Sequence, residues 1–139
     1  DLESGLIRAL HDKSFQDDAT RMLRAVRYEQ RLGFSLEPGT QVLLTRDLPM
    51  MNTISGDRVR GELKRLLDEE RPSRVLERMA KLGLLEAIYP PLGGYGEIAR
   101  RVVALEASGA AQGSSLLFLS FLAYPLTSEE VSIQPYCYL

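Results

Sequence analysis

Apolar residues recur three and four positions apart through most of the chain, the spacing of one buried stripe on a helix. Between Asp17 and Leu32 the stripe is Ala19, Met22, Leu23 and Val26, and Arg24, Arg27 and Arg31 fall on the opposite face. Asp17 and Asp18 suit the positive end of a helix starting there, and Gly33 suits its end. Pro38 stands where a first turn tolerates it, opening a helix through Val42, Leu43 and Leu44 to about Leu48, with Pro49 as the stop. Ser55 is a good N-cap for Ser55–Glu69, whose Val59, Leu63, Leu66 and Leu67 keep helical spacing. Pro72 opens the next helix, Arg74–Leu82, closed by Gly83. Leu84–Ile88 makes a short turn before Pro90, Pro91 and the loop Leu92–Gly96. Two more helices are expected at Glu97–Ser108 and Ser114–Tyr124, separated by the Gly/Ala-rich linker Gly109–Gly113.

No stretch alternates with the period of two that a half-buried strand needs, so the class is all-α with short connections. One segment departs from this. Gly5–Leu10 is short and apolar, bounded by Gly5 and the turn His11-Asp12-Lys13, and reads as a single strand without a ladder partner in this chain. An exposed edge of that kind invites pairing between copies. Both ends read as cut: Asp1 is not a start methionine, and Gln134–Leu139 carries no helical pattern after the helix opening at Thr127–Val131.

Composition narrows the chemistry. The chain has 139 residues, 45% hydrophobic and 26% charged, a globular balance. Seventeen basic against 19 acidic side chains leave a net charge of −2, so phosphate binding has to come from a local patch rather than a global field. A single cysteine, Cys137, excludes an internal disulfide framework, and a single histidine, His11, excludes a site needing several imidazoles. A zinc site of the usual kind is therefore out of reach. The longest apolar run, Leu116–Tyr124, is broken by Ser120 and falls short of the roughly 20 residues of a membrane span, which fits an intracellular, cytoplasmic chain. No Walker A motif and no Ser nucleophile elbow is present, and Gly93-Gly94-Tyr95-Gly96 lacks the lysine of a phosphate loop. Asp68-Glu69-Glu70 reads as a solvated helix end. The chain carries no visible catalytic centre or metal site of its own.

The arginines remain. Fourteen of the 17 basic residues are Arg, which favours planar, bidentate recognition of phosphates, carboxylates or base edges. The densest stripe is Arg21, Arg24, Arg27 and Arg31. It reads in two ways. It is a solvated face paired with Asp17, Asp18 and Glu29, or it presents Asp18 and Arg21, three apart on one helical turn, as carboxylate acceptors beside guanidinium donors. Such a pair could read a base edge like that of cytosine or adenine.

The residue string adds to this. S-F-Q-D-D-A-T-R-M-L-R-A-V-R-Y-E-Q-R-L-G-F (Ser14–Phe34) closely resembles the start of the neck in class II tRNA nucleotidyltransferases: the CCA-, CC- and A-adding enzymes and bacterial poly(A) polymerases. Asp1–His11 resembles that family's last head-domain segment, Ile54–Leu63 its next neck helix and Leu82–Pro90 its junction towards the body. The resemblance implies a head-domain end at 1–12, a helical neck at 13–90 and a partial body at 91–139. It implies that Asp17, Asp18 and Arg21 fill the family's E-D-x-x-R motif, with Asp18 and Arg21 reading the Watson–Crick edges of CTP and ATP and Asp17 helping to hold Arg21. Arg24 and Arg27 then face triphosphate, tRNA or neighbouring neck residues, and Arg31, Arg58 and Arg60 are neck supports or RNA contacts. Asp17 stands for the usual Glu and Ala19 for the usual Pro. The nucleotide loop and the carboxylates that bind Mg²⁺ belong, in such enzymes, to a head domain preceding this chain. A second reading, from a different class, is a non-catalytic helical RNA-binding or interaction module using the same arginines.

Overall fold

The computed structural model describes residues 2–93 and 95–109, a stack of helices around one apolar core. In chain order these are β1 (Leu6–Ile7), α1 (Ser14–Asp17), α2 (Thr20–Leu32), β2 (Ser35–Leu36), α3 (Pro38–Asp47), a 3₁₀ turn (Leu48–Thr53), α4 (Gly56–Leu67), α5 (Pro72–Lys81), α6 (Leu84–Ile88), a second 3₁₀ turn (Pro90–Gly93) and α7 (Tyr95–Ser108). The helix expected at Ser114–Tyr124, the linker before it, the C-terminal hexapeptide and Cys137 lie outside the described residues.

The apolar stripes decide the packing. Ala19, Met22, Leu23 and Val26 are buried, as their spacing requires, against α4 and α5. Val59, Leu66 and Leu67 of α4 and Val75, Leu76 and Met79 of α5 complete the same core, while Leu63 is only partly buried at its edge. α5 also packs on α6 and α7, where Val102 is buried and the carboxylate of Glu106 receives the Ser73 hydroxyl. Helix ends follow local chemistry. The Ser55 hydroxyl accepts the Arg58 N–H at 3.4 Å, and the Glu37 carboxylate, one residue before Pro38, accepts the Thr40 N–H at 2.8 Å. α3 stops at Asp47, two residues ahead of Pro49, and the chain continues as a 3₁₀ turn that buries Met51. α7 starts two residues before the expected Glu97.

Two expectations are corrected. The apolar N-terminal stretch is not an orphan: β1 pairs in parallel with β2, Leu6 opposite Ser35 and Ile7 opposite Leu36. The Ser35 N–H donates to the Gly5 carbonyl at 3.0 Å and the Glu37 N–H to the Ile7 carbonyl at 2.9 Å. The Thr40 hydroxyl accepts the Ala9 N–H, and Arg46 clasps the Asp12 carbonyl at 2.7 Å, so the segment is fastened along α3. β2 is two residues long, too short to show an alternation. The helix expected over Asp17–Leu32 is in fact two. Asp18 is extended (φ −153°, ψ 103°), and its Oδ1 accepts the Thr20 N–H at 3.0 Å. An Asp side chain that satisfies a backbone N–H two residues on competes with the helix and restarts it. Asp17 thus ends α1 and carries no part of the first turn of α2.

Gly83 joins α5 to α6 with φ +79°, and a Cβ added there would lie 3.2 Å from Leu48 Cδ1. Gly83→Ala is expected to destabilise the protein by about 1–2 kcal/mol, chiefly through the left-handed backbone. Gly61, inside α4 with open space around a new Cβ, should respond oppositely, gaining about 0.5–1 kcal/mol as Ala. Urea unfolding of the two variants checks both signs.

Candidate nucleotide-binding corner

The break between α1 and α2 creates a corner where a carboxylate and several guanidiniums meet. Asp18 Oδ1 accepts the Thr20 N–H, the Thr20 hydroxyl at 2.6 Å and Arg58 Nη2 at 3.2 Å. Asp18 Oδ2 takes only Arg58 Nη2, at 3.3 Å, among the described residues. Arg58 reaches across from the first turns of α4 and also touches the Thr20 hydroxyl at 3.4 Å. Partial burial pushes the Asp18 carboxyl up, but the Thr20 hydrogen bonds and the charges of Arg58 and Arg24 outweigh it. Its pKa therefore lies below the usual carboxylate value.

Arg21, the second residue of α2, is half-buried, and its Nη1 donates to the Ser14 carbonyl at 3.1 Å. That carbonyl, rather than Asp17, is what holds it: Asp17 lies outward, its Oδ2 3.4 Å from His11 Nε2. Asp18 and Arg21 do share the corner through the Arg21 N–H to Asp18 carbonyl bond at 3.2 Å, but they are not two positions of one regular helical turn.

The remaining stripe divides. Arg24 Nε meets Glu62 Oε1 at 3.3 Å, and Arg65 Nη1 meets the same oxygen at 2.8 Å. Glu62 has only 4% of its side chain exposed. Sequence reasoning missed it. The available signal was a carboxylate three residues after Val59 and four before Leu66, on the face that packs against α2. Arg27 lays its guanidinium 5.2 Å from the centroid of the Tyr28 ring, and its buried Nε has no hydrogen-bond partner among the described residues. Arg31 lies 3.9 Å from Glu69, and Arg60 pairs with Asp57 at 2.7 Å. Glu29, read as a partner for the exposed stripe, is instead buried and bonded to Arg78 of α5. Among the described residues no group of three or more His, Cys, Asp or Glu could hold a metal ion, and no helix is long and apolar enough to cross a membrane.

The Asp18 geometry makes stability depend on acid in a definite direction. Asp47 is lowered too, chiefly by its hydrogen bond from Arg46. A folded-state pKa below the unfolded value of about 3.9 gives stabilisation that is complete above that value and lost as pH falls through the folded one. The urea midpoint is expected to drop between pH 5 and pH 3, and less steeply in Asp18→Asn. Equal slopes for both proteins would contradict the assignment.

The chain as a whole is similar to proteins of known activity. Residues 33–93 match a family model described as the probable RNA- and SrmB-binding site of polymerase A. The chain is 42% identical over 94 residues to an A-adding tRNA nucleotidyltransferase of Geobacter sulfurreducens, covering 66% of this chain and 11% of that protein. It is 39% identical over 83 residues to a CCA-adding enzyme of Geobacillus stearothermophilus, covering 60% of this chain and 20% of that one. Its fold superposes on a CCA-adding enzyme in complex with CTP with a TM-score of 0.86 at 28% identity, over 96% of this chain and 34% of that one. These matches support a place for the chain in the class II tRNA nucleotidyltransferase family. A tRNA nucleotidyltransferase bound to a primer tRNA and an incoming ATP analogue gives a TM-score of 0.81 at 30% identity, over 93% of this chain and 41% of that one. The chain therefore spans well under half of each of these family members. The segment matched by the RNA-binding model begins at Gly33, so it takes in Arg58 and Glu62 but leaves Asp18 and Arg21 outside.

Proposed function

We propose that this chain is the neck (13–90), with the end of the head (1–12) and the start of the body (91–139), of a tRNA nucleotidyltransferase or a bacterial poly(A) polymerase. In that reading Asp18 and Arg21 select the base of incoming CTP or ATP. A preceding head domain carries out the Mg²⁺-dependent transfer to the RNA 3′ end, so the chain alone is inactive.

The observation that carries the reading is the lopsided bonding of Asp18. Oδ1 is saturated by Thr20 and Arg58, which fixes the carboxylate, while Oδ2 keeps acceptor capacity, and Arg21, joined to Asp18 through the backbone, carries guanidinium donors three residues on. The lowered pKa keeps that carboxylate charged at neutral pH. Both cytosine and adenine present an exocyclic amine that an Oδ2 lone pair can accept, next to a ring nitrogen to which a guanidinium can donate. Guanine and uracil present a carbonyl where the amine should be, which would set two acceptors face to face; a site built on hydrogen bonds rejects such a mismatch strongly. Arg24, locked by Glu62, and Arg27 line the same helix as neighbours of the nucleotide. The likeness of the fold to relatives solved with CTP or with an incoming ATP analogue supports the substrate class.

The test is nucleotide incorporation by the full-length protein with Mg²⁺ and a tRNA lacking its 3′ end, each nucleotide supplied singly. Addition of C or A alone, lost as a preference when Asp18 or Arg21 is replaced, supports the reading. Indiscriminate addition by the wild type removes it.

A further inference from the structure

A second basic site lies at the far end of α2. A cleft of about 310 Å³ opens between the end of α2, the α4–α5 turn and the start of α5, lined by Gln30, Arg31, Glu69, Glu70, Arg71 and Arg74. Arg71 and Arg74 are exposed and form no side-chain ion pair or hydrogen bond among the described residues. Arg31 has only its long contact to Glu69. Three guanidiniums less two carboxylates leave a local charge of +1 in a chain whose net charge is −2. The positive end of the α5 dipole beside them is already met by Glu106, whose carboxylate accepts the Ser73 N–H and hydroxyl, so the attraction in the cleft comes from the arginines.

We propose that this cleft binds one phosphodiester of the RNA backbone together with its ribose. A net +1 suits a phosphodiester, which carries a single negative charge, and not a triphosphate. Free guanidinium forks match the two oxygens of such a group. The Gln30 amide and Glu70 carboxylate supply acceptors that a 2′-hydroxyl can satisfy and a deoxyribose cannot. Arg31 is ten residues after Arg21, about 15 Å along the axis of α2. The cleft is therefore separate from the base-reading corner and would hold the RNA strand behind its growing end. Glu69, Glu70, Arg71 and Arg74 all fall in the segment matched by the RNA-binding model, which supports an RNA occupant. The assignment rests on the proposed RNA substrate but not on how the base is chosen.

The experiment measures tRNA binding by the full-length protein over a range of salt concentrations, for wild type and for Arg71→Ala/Arg74→Ala. Losing one neutralised phosphate should weaken binding roughly tenfold and reduce the slope of log affinity against log salt by about 1. A Lys/Lys version, which keeps the charge, should recover most of the slope. Replacing the acceptor-strand riboses by deoxyriboses should weaken wild-type binding. The nucleotide preference of the double Ala variant should not change. Unchanged affinity and slope would overturn the proposal and leave the cleft to a protein partner or to solvent. Arg21→Ala in the nucleotide-incorporation assay separates the two claims: its failure to alter nucleotide choice would remove base reading while leaving this site standing, whereas altered choice with an unchanged salt slope in the double Ala variant would remove this site alone.

Discussion

Full-length protein carrying Arg21→Ala is expected to add nucleotides with little regard to their base. A charge-assisted hydrogen bond contributes about 1.5–3 kcal/mol. Two such bonds from one guanidinium to a base edge correspond to roughly a 10²- to 10⁴-fold loss in the preference for CTP and ATP over UTP and GTP. The change should appear in kcat/KM for each nucleotide measured singly. Arg21→Lys keeps the charge but not the planar fork, so it should retain phosphate attraction and still lose most of the preference. The folded state should hardly notice, because the side chain is only half-buried and, among the described residues, bonds only the Ser14 carbonyl. An unaltered nucleotide preference in a folded Arg21→Ala protein would end the base-reading account.

The largest stability effect is expected at Glu29. Its carboxylate accepts the Leu36 N–H at 3.0 Å, Arg78 Nε at 2.7 Å and Arg78 Nη2 at 3.1 Å, joining α2, β2 and α5 at one buried point. Glu29→Ala would strand the Leu36 N–H and leave most of a guanidinium, 25% exposed, without its counter-charge. Removing one partner of a buried pair costs about 3–5 kcal/mol, with the lower end fitting an arginine that water can partly reach. Arg78→Ala should cost less, and the double variant less than the sum, by about 0.5–3 kcal/mol of coupling. Additive losses in urea unfolding would show that the pair is not the fastening point between these helices.

Much of the framework was legible along the chain because helices record their own burial. The spacing of Ala19, Met22, Leu23 and Val26 is enough to face them inward, and Ser55, Pro72 and Gly83 act on the backbone within a turn of themselves. The resemblance of Ser14–Phe34 carried the family, since it depends on residue identity alone. Charged side chains were harder. Glu29 and Glu62 read as surface acids by residue type, although each follows a buried valine by three positions, and the partners that let them be buried, Arg78 and Arg24, arrive from other helices. Arg71 and Arg74 gave no signal at all, because an unpaired guanidinium is recognisable only when its surroundings are known.

The sequence by itself determined most of the described helices, their inward faces, the family resemblance and the residues that could form a base-reading motif, all of which follow from periodicity and identity within short stretches. Tertiary structure alone decided that Leu6–Ile7 has a partner 29 residues away in Ser35–Leu36, that Asp18 leaves the helix to be held by Arg58 from α4, and that Glu29 and Glu62 are buried fastenings rather than surface acids. The physical reason is common to these cases. A two-residue strand or a single carboxylate gains its stabilisation from one partner distant in sequence, and a local pattern of polarity holds no record of which partner folding will bring to it.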